Sequence, residues 1–223
     1  MKTDYETVKV EVKDGVAILA LNNPPVNQLS EHFVREMADA LIQAAADNAI
    51  NSVILTGTGK NFIAGADITE IQGVKDKNFL LPRVMENHRF INAIEDAPKP
   101  VIAGINGHCL GGGLEIAMAC HYRIAAQGVQ IGQPEVRIGL FPGAGGTQRL
   151  PRLIGFANAL QMIATGNPIS AEEGLKKGAL DEVVPSSQLL DQALNVARRF
   201  ISGELKHKDR ITTVSYTHLR AHE

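Results

Sequence analysis

Three consecutive glycines, Gly111-Gly112-Gly113, stand between the apolar run Val101–Ile105 and the stretch Leu114–Cys120. A buried strand, a glycine turn and a helix in that order expose free N–H groups at the helix N-terminus, where negative charge is favoured. Glu115 then falls in the first helical turn. Around this unit, strand and helix signals alternate through the first two-thirds of the chain, which makes the class α/β.

Val8, Val10 and Val12 alternate with Lys9, Glu11 and Lys13, the period of a half-buried strand. Asp14-Gly15 is a hairpin signal, and Val16–Leu21 reads as a more buried second strand. Ser30 can cap a helix running to about Asn48, with Phe33, Met37, Leu41 and Ala44 on one face. Ser52–Thr56 is a short buried strand, and a glycine-rich loop follows over Gly57–Gly65. Residues 79–95 predict a helix with Leu80, Val84, Phe90, Ile91 and Ile94 as its apolar positions. Short strands follow at Arg123–Ala125 and Val129–Gly132. After Gly146 the pattern turns helical, over 147–154, 156–164, 170–177 and 187–201, with a short strand at Val183-Val184. Ser170 with Glu173 makes a capping box, and Gly178 a helix stop.

Among 223 residues, 22 are Lys or Arg and 24 are Asp or Glu, a net charge of −2 that argues against a generally basic nucleic-acid binder. Two cysteines, Cys109 and Cys120, imply neither a disulfide framework nor a zinc site, and reduced thiols in the cytoplasm are the expectation. Met1–Glu6 lacks the apolar core of a signal peptide. No apolar run reaches the roughly 20 residues that span a bilayer, so membrane insertion is not expected.

Three segments can carry chemistry. Phe62-Ile63-Ala64-Gly65-Ala66-Asp67-Ile68 follows a strand and a glycine loop, and its small residues let backbone N–H groups approach a ligand. Gly107-His108-Cys109-Leu110-Gly111-Gly112-Gly113-Leu114-Glu115 is the glycine turn. Gly132-Gln133-Pro134-Glu135 leads into Gly139-Leu140-Phe141-Pro142-Gly143-Ala144-Gly145-Gly146-Thr147-Gln148-Arg149. Gly57-Thr58-Gly59-Lys60-Asn61 lacks the spacing of a phosphate loop, and neither a dinucleotide fingerprint nor a GxSxG elbow is present. His108, His121, Met118 and Cys120 read as structural, and Lys99, Arg149 and Arg152 as solvated charges.

Together, AGADI, GGGLE, GQPE and PGAGGTQRLPRLIG resemble the crotonase (enoyl-CoA hydratase/isomerase) superfamily, in family order and over about residues 7–202. Gly111–Ala125 is similar to the hydratase part of bifunctional enoyl-CoA hydratase/3-hydroxyacyl-CoA dehydrogenases. The resemblance implies a spiral of strand–strand–helix units with a helical C-terminal region, in a domain over 1–202. It implies catalytic roles for Glu115 in activating water and Glu135 in protonating C2 of a trans-2-enoyl-CoA. It further implies an oxyanion hole from the N–H groups of Ala66 and Gly112, and CoA contacts at Val26, Asn27, Ala64, Asp67 and Ile68. The CoA thioester would be substrate, with no metal or other cofactor. The family implies a homo-oligomer, trimer or hexamer, or one part of a bifunctional chain. Isomerisation of a Δ3-enoyl-CoA to the Δ2 isomer is the alternative enzyme reading, and a catalytically silent acyl-CoA-binding fragment the alternative outside enzymes.

The last ten residues, 214–223, fit no amphipathic period and resemble a translated sequencing adapter, so they are set aside from the fold. The expectation is a truncated chain whose natural continuation begins after about Thr213. Residues 203–213 then start a linker or further helices.

Overall fold

The chain opens with a hairpin of β1 (Val8–Lys13) and β2 (Val16–Leu21), paired antiparallel with Lys13 opposite Val16. The computed structural model describes residues 1–70 and 77–206, with the backbone alone for Lys77, Phe79 and Leu80. Asp14 and Gly15 both take positive φ, 51° and 74°, as a two-residue hairpin turn requires. β2 is buried, whereas along β1 only Val8 is fully covered and Val12 is 48% exposed. The expected apolar face of β1 therefore fades, because β1 is the edge strand and runs out from under its cover. Helix α1 (Glu31–Ala46) is capped by Ser30, whose Oγ accepts from the Phe33 N–H. Its buried stripe is Phe33, Met37, Ala40 and Ala44; Leu41 lies half-buried beside it.

Three spiral turns follow. The first is β3 (Ser52–Gly57), β4 (Asn61–Ile63) and α2 (Lys77–Glu95). The second is β5 (Val101–Ile105), β6 (His108–Leu110) and α3 (Gly112–Ala119). The third is β7 (Tyr122–Ala126) and β8 (Gln130–Gly132), ending in a 3-10 turn at Glu135–Ile138. Later come α4 (Gly146–Ile154), α5 (Phe156–Thr165), β9 (Ile169–Ser170), α6 (Ala171–Lys177), β10 (Glu182–Val184) and α7 (Leu189–Ile201). The first strand of each turn enters a six-stranded sheet, β1-β2-β3-β5-β7-β10, parallel beyond the hairpin. The second enters a four-stranded sheet, β4-β6-β8-β9, so each turn lies one strand further along both sheets. This is the spiral that the family resemblance implies.

Glycine permits the turns to stack at their corners. A Cβ on Gly107 would lie 1.9 Å from the Lys60 carbonyl oxygen, so no other residue fits between the first and second corners. Asn106 ties them together: its Oδ1 accepts from the Gly57 N–H at 2.9 Å and its Nδ2 donates to the Gly59 carbonyl at 3.1 Å. The expected glycine loop Gly57–Gly65 is thus a corner followed by strand β4. In α2, Ile91 and Ile94 are buried as expected, but Val84 is 42% exposed, and the Leu80 side chain lies outside the described residues.

Arg123, only 1% exposed, ties the last third of the chain to β7. Its Nε donates to the Ala179 carbonyl, Nη1 to the Cys120 carbonyl, and Nη2 pairs with Asp181. Ser170 caps α6 by accepting from the Glu173 N–H, and Gly178 ends it in the left-handed region. α7 packs on β3, β5 and β7 through Ala193, Leu194, Val196 and Ala197. Of the stretch 203–213, residues 203–206 follow α7 with Leu205 against the core. Residues 207–213 and the tail 214–223 lie outside the described residues.

Candidate active site

β4, β6 and β8 are neighbours in the smaller sheet, and the three segments singled out in the sequence are the loops that leave them. Ala64–Ile68 follows β4, Gly111–Glu115 follows β6, and Gln133–Glu135 follows β8. Parallel neighbouring strands deliver their exits to one side of the sheet, so residues far apart in sequence converge there. The exits are also bonded to one another. The Gly111 N–H donates to the Gly132 carbonyl at 2.9 Å, and a Cβ on Gly111 would lie 3.7 Å from Gly65 Cα.

The N–H of Gly112 is at the first position of α3, where no intrahelical acceptor exists. Ala66 forms a parallel bridge with Leu29, in which Leu29 donates to the Gly65 carbonyl and Asp67 donates to the Leu29 carbonyl. Those two bonds leave the Ala66 N–H facing away from Leu29, and the residue is exposed. Gly112 packs under Leu29, whose Cδ1 would be 2.7 Å from an added Cβ.

Glu115 is 2% exposed, and its Oε1 accepts from the N–H groups of Ala144 at 2.8 Å and Gly146 at 2.7 Å. Burial raises its carboxyl above the usual range, while those two donors, and His88 and Arg149 nearby, pull it back. Oε2 lies on the glycine side, 3.9 Å from a Cβ added at Gly112. Glu135 is half-buried, and its Oε1 would sit 3.1 Å from a Cβ on Gly111. Burial pushes its carboxyl up to about 7, its own backbone N–H opposes this, and the nearby Glu115 charge adds to it. Two carboxyls of unequal environment therefore flank one glycine turn. Such a pair can take a proton at one point and give one at another.

Gln133 belongs to the Gly132–Glu135 segment, two residues before Glu135, but the sequence gives it no role of its own. It is fully buried, and its amide Nε2 donates to Glu135 Oε1 at 2.8 Å and Oε2 at 3.0 Å. The amide is assigned in this orientation because the opposite one would set its oxygen against the oxygens of the ionised carboxylate.

The residues expected to meet CoA lie along the same edge. Val26 accepts from the Ala64 N–H at 3.3 Å. Asn27 is buried at positive φ, and its Nδ2 donates to the carbonyls of Leu21, Asn61 and Phe62, so its side chain holds the loop. Asp67 accepts from Gln28 and Thr69, which keeps its carboxyl below the usual range, and Ile68 is 41% exposed. His121 is structural, its Nδ1 accepting from the Val101 N–H, and Met118 and Cys120 are buried. Lys99 and Arg149 are not solvated charges: Lys99 donates to the carbonyls of Ala44 and Asp47, and Arg149 pairs with Glu95. Among the described residues, no group of three or more His, Cys, Asp or Glu is placed to hold a metal ion.

A family model described as enoyl-CoA hydratase/isomerase matches residues 11–220. The chain belongs to the enoyl-CoA hydratase/isomerase family. It is 41% identical over 197 residues to a probable enoyl-CoA hydratase of Bacillus subtilis, covering 86% of this chain and 75% of that one. A peroxisomal fatty acid beta-oxidation multifunctional protein of Arabidopsis thaliana is 39% identical over 218 residues, 97% of this chain and 30% of its own. The chain thus spans less than a third of that longer relative. The crystal structure of an enoyl-CoA hydratase from Bacillus anthracis superposes with a TM-score of 0.83 at 38% identity, covering 88% of this chain and 77% of that one. Members of this family with the same spiral confirm the α/β class. Among the described residues, no helix is long and apolar enough to cross a membrane.

Proposed function

We propose that the chain hydrates trans-2-enoyl-CoA to 3-hydroxyacyl-CoA, a step of fatty-acid β-oxidation. The observation that carries this is the unequal pair of carboxyls on either side of one glycine turn. Glu115 has its Oε1 saturated by two backbone N–H groups, which favours the anion and leaves Oε2 for a water molecule. Glu135, with its carboxyl near 7, holds a proton in about half of the molecules at neutral pH. Glu115 takes a proton from water as the hydroxide oxygen bonds to C3. The π electrons move toward the thioester oxygen, and C2 takes the proton of Glu135. Solvent exchange then returns both carboxyls to their starting states.

The thioester oxygen gains charge in this step. Donors from Ala66 and Gly112, fixed before reaction, would each lower the barrier by about 3–4 kcal/mol. Val26, Asn27, Ala64, Asp67 and Ile68 border the same edge and are the proposed CoA contacts. The chemistry as read uses water and the chain's own groups, without a metal or cofactor. The test is product analysis of trans-2-enoyl-CoA and its Δ3 isomer. Gain of one water by the first substrate, faster than conversion of the second, supports hydration. Conversion of the Δ3 isomer alone would replace it with isomerisation.

A further inference from the structure

The loop that holds Glu115 is itself held from behind. Ala144, one of the two donors to Glu115, accepts at its carbonyl from Arg149 Nη1 at 3.4 Å. The same guanidinium donates from Nε and Nη2 to Glu95 Oε2, at 3.0 and 2.6 Å, and from Nη2 to Asn92 Oδ1 at 2.8 Å. One turn earlier on α2, His88 Nε2 bonds the Gly143 carbonyl at 2.7 Å. His88, Asn92 and Glu95 are spaced four and three residues apart, so they share one helix face. That face and Arg149 grip residues 143 and 144 of the loop that carries both donors. The seam borders a cleft of about 320 Å³, so shortening Arg149 removes a clamp without opening the core.

We infer that Arg149 is a positioning residue for Glu115: it fixes the loop carrying both N–H donors, and its charge, balanced by Glu95, sets the field at the carboxylate. The inference rests on the reading of Glu115 as the base. Among the described residues, the ionisable groups that face Glu115 are His88 from α2, Arg149 from α4, with Glu95 of α2 behind it, and Glu135 from the 3-10 turn; α3 supplies none besides Glu115 itself. A clamp that only stabilised the fold would leave the titration of Glu115 alone. One that also sets its field gives opposite shifts when the two charges of the pair are removed in turn. Losing Arg149 removes a positive charge and loosens two donors, and both raise the carboxyl. Losing the charge of Glu95 leaves Arg149 uncompensated, which lowers it.

The experiment is a ¹³C titration of glutamate-labelled protein, with Glu115 assigned by its loss in Glu115→Gln, beside the pH profile of enoyl-CoA hydration. In Arg149→Met the Glu115 midpoint rises by about half a pH unit or more, and in the near-isosteric Glu95→Gln it falls by a similar amount. Arg149→Lys keeps the charge but loosens the two donors, so its midpoint rises by less than in Arg149→Met. Its kcat still drops by about tenfold with KM little changed, because the fork is lost. Equal midpoints in Arg149→Met and Glu95→Gln, or shifts of the same sign, overturn the inference. Variants that shift the Glu115 midpoint as expected in a chain that hydrates nothing defeat the proposed function and leave only the coupling of Arg149 to Glu115 standing.

Discussion

Replacing Glu135 by glutamine should stabilise the protein at alkaline pH while it damages activity. Burial pushes the Glu135 carboxyl up to about 7 from an ordinary value of 4.5. A gap of about 2.5 pH units corresponds to about 3.4 kcal/mol, and partial exposure to solvent reduces this to about 2 kcal/mol. Between pH 4.5 and 7 the folded chain keeps a proton at Glu135 that the unfolded chain has released. The stability that this group contributes is therefore fully present below about pH 4.5 and is lost as pH rises through about 7. An amide is never charged, so the variant lacks this loss. Its carbonyl oxygen still accepts from Gln133, so no buried donor is orphaned. Urea unfolding at pH 5 and pH 8 measures the effect. Part of the loss has already occurred at pH 5, so relative to the native chain Glu135→Gln should gain about 1.5 kcal/mol more at pH 8 than at pH 5. An equal difference at both pH values would mean that burial does not oppose the Glu135 charge.

Three further outcomes follow from single contacts. Gly113→Ala puts a methyl 2.4 Å from the Ile63 carbonyl oxygen, against backbone that cannot rotate aside, and should lower stability by about 1–3 kcal/mol; an unchanged melting temperature would contradict this. Arg123→Met leaves Asp181 without its guanidinium in a part-buried setting and should cost about 3–5 kcal/mol in urea unfolding. Gln133→Leu removes two donors from the Glu135 carboxylate, so that carboxyl should rise further and the alkaline limb of the hydration profile should move to higher pH. A fixed alkaline limb would show that the Gln133 amide does not face the carboxylate.

Much of the fold is legible in the chain. Alternation, the Asp14-Gly15 turn, the Ser30 and Ser170 caps and the Gly178 stop each rest on local chemistry that tertiary packing has no reason to override. Glu115 and Glu135 are legible through the motifs around them, and both lie at the glycine turn. What is not legible is why they meet. β4, β6 and β8 have three residues each, too few to show a period of two, yet their pairing makes neighbours of loops up to 70 residues apart. The partners of Arg149 are hidden for the same reason: Glu95 lies 54 residues away, and nothing local marks it as a counter-ion. Val84 follows a helical period but ends exposed, since periodicity identifies a face without telling how much of it is covered.

In the proposed reaction, two glutamates on successive spiral turns add water to an enoyl thioester. The loss of enoyl-thioester absorbance from crotonyl-CoA at pH 7 tests it most directly, with the native chain beside Glu115→Gln and Glu135→Gln. The native chain should turn over, and turnover should fall by about 10²–10⁴-fold in each variant. Turnover that survives both substitutions would contradict it.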